Sequence, residues 1–358
     1  MAYTTIDDPS AYFKVHLYTG TGSSNAQTFA DTDTDMQPDL VWIKTRGVSE
    51  SHVVFDSVRT NGYYLKTDAN SAEIDGSSGG SNLWTSFDSD GFTVNSTGAR
   101  TNTNTYTYAA WCWKAGTTSG INTTGADTTP SGYSFNQTSG FSIIAYTGTG
   151  VADDKIPHGL GAVPHLIICK KRGNTGNWAI YHHKNTSAPA TDYLYLDTTA
   201  ATADDAGYWN DTAPTSVLFT VGDNSRTNDN TTMAAYCWAE KQGFSKFGSY
   251  TGNGNADGPM LHMGFSPAWI MCKKTSATGD SWTILDNKRD PYNIADARLF
   301  PDQTAAESTS TDVGDFLSNG FKIRTTAGTW NDSGGTYIYA AFAEAPFVNS
   351  NGVPTTAR

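Results

Sequence analysis

Residues 108–116 read YAAWCWKAG, and the wording returns as TMAAYCWAE at 232–240 and as YAAFAEAPF at 339–347. A phrase that recurs at such intervals marks an internal repeat, which must be recognised before a fold is assigned. Two further phrases keep step with it. YTGTG at 18–22 returns as YTGTG at 146–150 and YTGNG at 250–254, while PDLVWIKTRG at 38–47 returns as PHLIICKKRG at 164–173 and PAWIMCKKTS at 267–276. The order is constant and the spacing is about 105 to 125 residues, the size of one domain. Solenoid and propeller units run to about 20 to 50 residues and cannot bury a core alone. Each copy is therefore expected to fold by itself.

Laid over one another, the terminal phrases put Cys112 and Cys237 opposite Ala343, and the lysine-bearing phrases put Ile43 opposite Cys169 and Cys272. A nucleophile or metal ligand does not exchange with alanine, whereas a small buried hydrophobe does. The four cysteines are expected to be buried, inert thiols. There is no CxxC pair and no zinc-ligand spacing. The first and third copies hold one cysteine each, so neither has a disulfide partner of its own.

Aromatics make up 12% of the chain, Gly, Ser, Thr, Asn and Asp abound, and glutamate is scarce, a profile of strands and turns rather than helices. LVWIK, LIICK, AWIMC, FTVNS, YLYLD, FKIRT and YIYAA are short β-branched and aromatic runs separated by Gly, Asn, Asp or Pro. The predicted class is all-β, with three tandem β-sandwich domains. The copies cover 1–116, 140–242 and 243–349, followed by a tail at 350–358. Between the first two, 117–139 is rich in Thr, Ser and Gly and reads as a linker. The second and third are joined directly by WAEKQGFSKF and are expected to pack rigidly. DSDGFTV and LSNGFKI place Asp-Gly and Asn-Gly ahead of an apolar run, a turn that delivers the chain into a strand in the first and third copies. The second departs there with LFTVGDNSRTNDN.

A net charge of −12 argues against nucleic acid, whose phosphates require clustered Lys and Arg. No apolar stretch is long enough to span a bilayer and none resembles a signal peptide, so a soluble chain, complete at its start, is expected. Lys44, Lys170 and Lys273 end their apolar runs and read as side chains whose amines reach out to solvent.

Chemistry-bearing patterns are few. Asp31, Asp33 and Asp35 offer alternate carboxylates for calcium, but the EF-hand pattern needs Gly sixth and Glu twelfth, where Met36 and Trp42 stand. A solvated acidic turn is the expected reading, and no cofactor is called for. GSSGG at 76–80 matches GxSxG without the strand and helix that a nucleophile elbow needs. His182 and His183 are adjacent, point to opposite faces of a strand, and make poor joint ligands for one metal. Glycoside hydrolysis needs two carboxylates about 5 to 9.5 Å apart. The five glutamates, Glu50, Glu73, Glu240, Glu307 and Glu344, include no pair at alternate positions of one strand, so no catalytic residue is assigned.

IPHGLGAVPHLIICKKRG at 156–173 and FLSNGFKIRTTAGTWNDSGGTYIYAAFAEAPF at 316–347 resemble repeated lectin-like domains in virion proteins of marine tailed phages. The resemblance spans all three copies and is strongest in the second and third; the first has DTDTDMQP in place of the HGLG phrase, and the third keeps LHMGFSP. It implies concanavalin-like jelly-roll sandwiches in a tail-fibre or other structural component of the virion. It also implies other virion proteins as partners and a homo-oligomer, specifically a trimer, and it carries over no catalytic residue. Tandem sandwiches with aromatic, Asn- and Asp-bearing loops suit a host-surface glycan. Trp84, Trp209 and Trp330 lie outside the obvious core strands, with Asn210 and Asp211 following Trp209 as Asn331 and Asp332 follow Trp330. These seven are the expected glycan contacts, the alternative being that the indoles pack over one end of a sandwich. Trp42, Trp111, Trp113, Trp238 and Trp269 are assigned to core or interface. The expected function is a tail-fibre or appendage component without enzymatic activity. A capsid decoration or head-fibre protein is the alternative, and a glycan depolymerase the second.

Overall fold

Four strands recur in each repeat in one order: an opening strand, a strand with lysine at or next to its end, its hairpin partner and a terminal strand. A computed structural model, which describes residues 3–30, 32–77, 82–95 and 98–355, places them in the first repeat at Phe13–Thr19, Leu40–Thr45, Val53–Asp56 and Thr107–Trp113. In the second repeat they are Phe141–Thr147, Leu166–Lys171, Ala179–His182 and Thr232–Trp238, and in the third Ser245–Thr251, Phe265–Lys274, Thr283–Asp286 and Thr336–Pro346. All pairings are antiparallel, and the terminal strand always lies between the opening and lysine strands. The chain is all-β. Its helices among the described residues are the short turns Pro9–Ala11, Ala206–Trp209 and Gly328–Asn331, and none is long and apolar enough to cross a membrane.

A smaller sheet faces each four-strand unit. It pairs Asn25–Thr28 with Gly91–Val94 in the first repeat, Asp154–Pro157 with Leu218–Val221 in the second, and Met260–His262 with Gly320–Ile323 in the third. The Asp-Gly and Asn-Gly turns fall where the sequence placed them, closing Trp84–Asp88 onto Gly91–Val94 and Gly314–Leu317 onto Gly320–Ile323. Only glycine fits there: φ is +127° at Gly91 and +156° at Gly320, and a Cβ would stand 1.9 Å from the carbonyl oxygens of Gln27 and Leu261. The second repeat lacks this hairpin. The segment read as linker is partly sheet, because Gly132–Asn136 pairs with Phe141–Thr147.

The cross-strand register corrects one alignment. Tyr18, Tyr146 and Tyr250 face Tyr108, Met233 and Tyr337, so Cys112 and Cys237 correspond to Ala341 rather than Ala343. A slip of two residues keeps a side chain on the same face of a strand, and Ala341 is as buried as the cysteines it replaces. Ile43, Cys169 and Cys272 do correspond, as do Lys44, Lys170 and Lys273.

Besides the clusters inside the first and second repeats, one core is shared by all three. Each principal sheet is covered on both faces, which is why LVWIKT and LIICKK are buried at every position. In the first repeat Val41, Ile43 and Cys112 face the small sheet, whereas Leu40, Trp42, Trp111 and Trp113 face the other repeats. One common cluster draws Trp42 and Trp113 from the first repeat, Ile168 and Trp238 from the second, and Trp269 and Phe342 from the third. At its centre the Trp113 ring lies 5.7 Å from Trp269, 5.5 Å from Phe342 and 6.1 Å from Trp238. The repeats therefore surround a shared aromatic axis.

Candidate functional site: the repeat junctions

Around that axis each repeat passes a polar strap to the next. Residues 66–73, 195–202 and 300–307 occupy equivalent positions, and each strap closes on the lysine strand of its neighbour. Lys170 donates to the carbonyl of Asn70 at 3.3 Å, Lys273 to that of Thr199 at 3.3 Å and Lys44 to that of Thr304 at 3.2 Å. The strap of repeat one thus serves repeat two, that of repeat two serves repeat three, and that of repeat three returns to repeat one. This is a head-to-tail ring that closes. The three lysines are fully buried, so the expectation of solvent-reaching amines is overturned: carbonyls of the neighbouring strap replace water. Burial lowers the amine pKa to about 8 at Lys44 and Lys170, and lowers that of Lys273.

Main-chain bonds follow the same circuit. Glu73 N–H donates to Arg172 O at 2.9 Å, Thr202 N–H to Thr275 O at 3.0 Å, and Glu307 N–H to Arg46 O at 2.8 Å. Two junctions add ion pairs, Arg172 with Glu73 at 2.9 Å and Arg46 with Glu307 at 2.7 Å. The third has threonines there.

A second tie lies at the end of each hairpin partner strand. Asp56 holds Arg59 at 2.5 Å and accepts the Tyr236 hydroxyl of repeat two at 2.6 Å. Asp286 holds Arg289 at 2.6 Å and accepts the Trp111 indole N–H of repeat one at 3.0 Å. Burial works to raise the Asp56 pKa, but the charge and N–H groups of Arg59 leave it below the ordinary carboxylate value. In repeat two the corresponding residue is His182, whose Nε2 lies 3.2 Å from Tyr339 O of repeat three.

The expected glycan contacts sit elsewhere and inside. Trp84 stacks 5.5 Å from Phe92, Trp209 lies edge-on to Tyr181 at 5.8 Å, and Trp330 is 5.8 Å from Phe321. All three are buried in core clusters, so none offers a ring face to a sugar. The shared wording AGYWNDT and AGTWNDS is not a structural equivalence. Fully buried Asn331 corresponds to Asn102 and Asn228: their side-chain oxygens accept Asn253 N–H, Thr21 N–H and Thr149 N–H at 2.7 to 2.9 Å and pin the YTG loops. Asn210 instead ends a helical turn in the left-handed conformation, and its side chain reaches Asp153. Asp211 is exposed, and Asp332 pairs with Lys274 at 2.9 Å.

Metal and catalytic readings meet the same outcome. Asp33 pairs with Lys14 at 3.5 Å, Asp35 is exposed, and Asp31 lies outside the described residues, as do Ser78, Gly79 and Gly80 of the GxSxG match. One group of three potential ligands occurs among the described residues: His165, His183 and Glu240. Its hydrogen bonds leave no open donor set. Glu240 N–H donates to His165 Nδ1 at 3.0 Å, so the neutral ring carries its proton on Nε2 and has no lone pair to give a metal. The Glu240 carboxylate pairs with Lys246 at 2.6 Å. In repeat one the same place is taken by Asp39, which accepts Ala115 N–H at 2.8 Å, so the position is a strand cap.

The glutamates are also engaged. Glu50, Glu73, Glu240, Glu307 and Glu344 each face a lysine or arginine within 4.0 Å. The fold does bring Asp127 and Asp153 together, but Lys155 bridges them at 3.3 and 2.9 Å. Burial pushes Asp302 up to about 6; its equivalents Asp68 and Asp197 are raised too, marking a feature of every repeat.

The four thiols are fully buried. Burial raises Cys169 and Cys272 to about 12 and the other two further. Ellman's reagent is expected to find no thiol in the native protein and four after denaturation; fast native reaction at any of them would contradict this packing.

The fold and its junctions define an all-β protein of three head-to-tail repeats closed about a common core. The chain belongs to the family described as a domain of unknown function (DUF7483), whose model matches residues 8–346. That single match embraces all three repeats, so the family's unit is the whole ring. No curated protein and no solved structure matches the chain.

Proposed function

We propose that the protein is a structural component of a tailed-phage virion, belonging to a tail fibre or similar appendage. In this reading its three repeats are jelly-roll, concanavalin-like sandwiches that assemble with other virion proteins. The observation that supports it most is the use of the ionisable groups: buried lysines, arginines and carboxylates are spent on ties between repeats, leaving a rigid ring rather than a reactive cleft. The phage resemblance of the HGLGAVP and YIYAAFAEAPF phrases points the same way. The ring also supplies, within one chain, the threefold arrangement that the resemblance implies between copies. Any contact with a host glycan falls on exposed loops, not on Trp84, Trp209 or Trp330.

Electron cryomicroscopy of intact particles, with the chain located by antibody fragments, tests the proposal. Density at the tail or its fibres supports it. Density spread over the capsid lattice overturns it in favour of a decoration protein, and release of reducing ends from host polysaccharide by the purified chain overturns the non-enzymatic reading.

A further inference from the structure

The junction between repeats two and three departs from the others twice, at the strap, where threonines replace the ion pair, and at the corner. Where repeats one and three place Asp56 with Arg59 and Asp286 with Arg289, repeat two places His182 with Asn185. His183 and His165 stand beside them. We propose that the junction between repeats two and three is an acid-labile seam, at which the ring opens in mildly acidic solution while the junction between repeats one and two stays closed.

Hydrogen-bond geometry fixes the protonation state that the closed seam requires. His182 Nδ1 accepts Lys184 N–H at 3.2 Å while Nε2 faces Tyr339 O at 3.2 Å, so the ring must be neutral with its proton on Nε2. A second proton on Nδ1 would point at the Lys184 N–H, donor against donor. His165 is held likewise, its Nδ1 accepting from Glu240. His183 donates through Nε2 to Phe247 O at 2.7 Å, across the same junction. The other groups facing the cluster are Lys184, Lys246 and Glu240, with the Phe247 ring packed against His165 and His182. Glu240 is already engaged by Lys246 at 2.6 Å and cannot fully compensate an imidazolium.

The direction of the pH effect follows. Burial lowers His182 to about 3 and His183 to about 4, and lowers His165. A histidine whose folded pKa is depressed contributes full stability above its unfolded pKa of about 6.5 and loses it as pH falls toward the folded value. Each such histidine favours opening up to about tenfold per pH unit below 6.5, so from pH 6.5 to 5.0 the His182–His183 pair together contributes up to about 1,000-fold. The first and third corners use an arginine with a carboxylate, and at Asp56 and Glu307 the arginines outweigh burial and keep the carboxyl pKa low. The third junction also holds buried His52, whose Nδ1 accepts Trp42 N–H at 2.9 Å and whose pKa burial keeps well below the ordinary value, so the first junction is the one that acid spares.

Hydrogen exchange of the full chain, followed by mass spectrometry from pH 7.5 to 4.5 and corrected for intrinsic exchange, reads the three junctions separately. The amides of Thr202 and Gly279 report the seam, those of Glu73 and Gly176 the first junction, and that of Glu307 the third. Expected is loss of protection at Thr202 and Gly279 at a pH where Glu73 and Gly176 remain protected. His182→Gln with His183→Gln should flatten the pH dependence of this loss. Simultaneous loss at the seam and the first junction, or unchanged pH dependence in the glutamine variant, overturns the proposal. Should the variant not fold, the order of opening in the unaltered protein decides alone.

Discussion

Asp286→Ala is expected to destabilise the protein by about 3 to 5 kcal/mol, because it leaves a buried arginine short of its closest counter-charge. The carboxylate has four partners: Arg289 Nε at 2.6 Å, the Arg289 and Lys288 N–H groups at 2.9 and 3.2 Å, and the Trp111 indole at 3.0 Å. Arg289 would keep Glu307 at 3.0 Å and the Ile284 carbonyl at 3.2 Å, which places the loss below that of a wholly unpaired charge. Asp286→Asn retains an acceptor for the backbone and indole but no charge, and should fall between the two. Trp111→Phe deletes only the indole donor and should cost about 1 kcal/mol beyond its volume change. Denaturant unfolding at neutral pH measures all three. A loss under 1 kcal/mol for the alanine variant would mean that the corner pair does not hold the third junction.

The repeat phrases made much of this legible. Their spacing, the Asp-Gly and Asn-Gly turns and the exchange of cysteine for isoleucine identified the strands, the hairpins and the inert thiols without coordinates. The ring was not legible, for two physical reasons. A run such as LVWIKT shows that a strand is apolar on both faces but not what covers the second face, and the answer is the other repeats. Lys44, Lys170 and Lys273 looked like strand ends because their acceptors are main-chain carbonyls, which leave no trace in side-chain pattern. The burial of Trp84, Trp209, Trp330 and Asn331 was hidden for another reason: the local match between AGYWNDT and AGTWNDS is not a match of position in the repeat. An asparagine five or six residues ahead of Met233, Tyr108 and Tyr337 was the signal for the loop pin, and it selects Asn228, Asn102 and Asn331.

Whether the repeats behave as beads or as one body is decided at Trp113. Its ring is buried among Phe13 at 5.0 Å, Trp238 at 6.1 Å, Trp269 at 5.7 Å and Phe342 at 5.5 Å, side chains drawn from all three repeats. Trp113→Ala removes that common contact and is expected to cost about 3 to 5 kcal/mol, since large aromatic deletions leave a cavity that the surroundings only partly fill. Trp209→Ala deletes a side chain of equal size from a cluster confined to the second repeat and its flanking segment, and should cost a similar amount. The two differ in where the loss is felt. If the shared core couples the repeats, Trp113→Ala lowers protection against hydrogen exchange in the terminal strands Thr107–Trp113, Thr232–Trp238 and Thr336–Pro346 together, whereas Trp209→Ala acts first on the second. Three independent domains would confine the Trp113 effect to the first repeat and split the melting curve. A common core predicts one transition shifted as a whole, because no repeat can expose its axial face without exposing those of the other two.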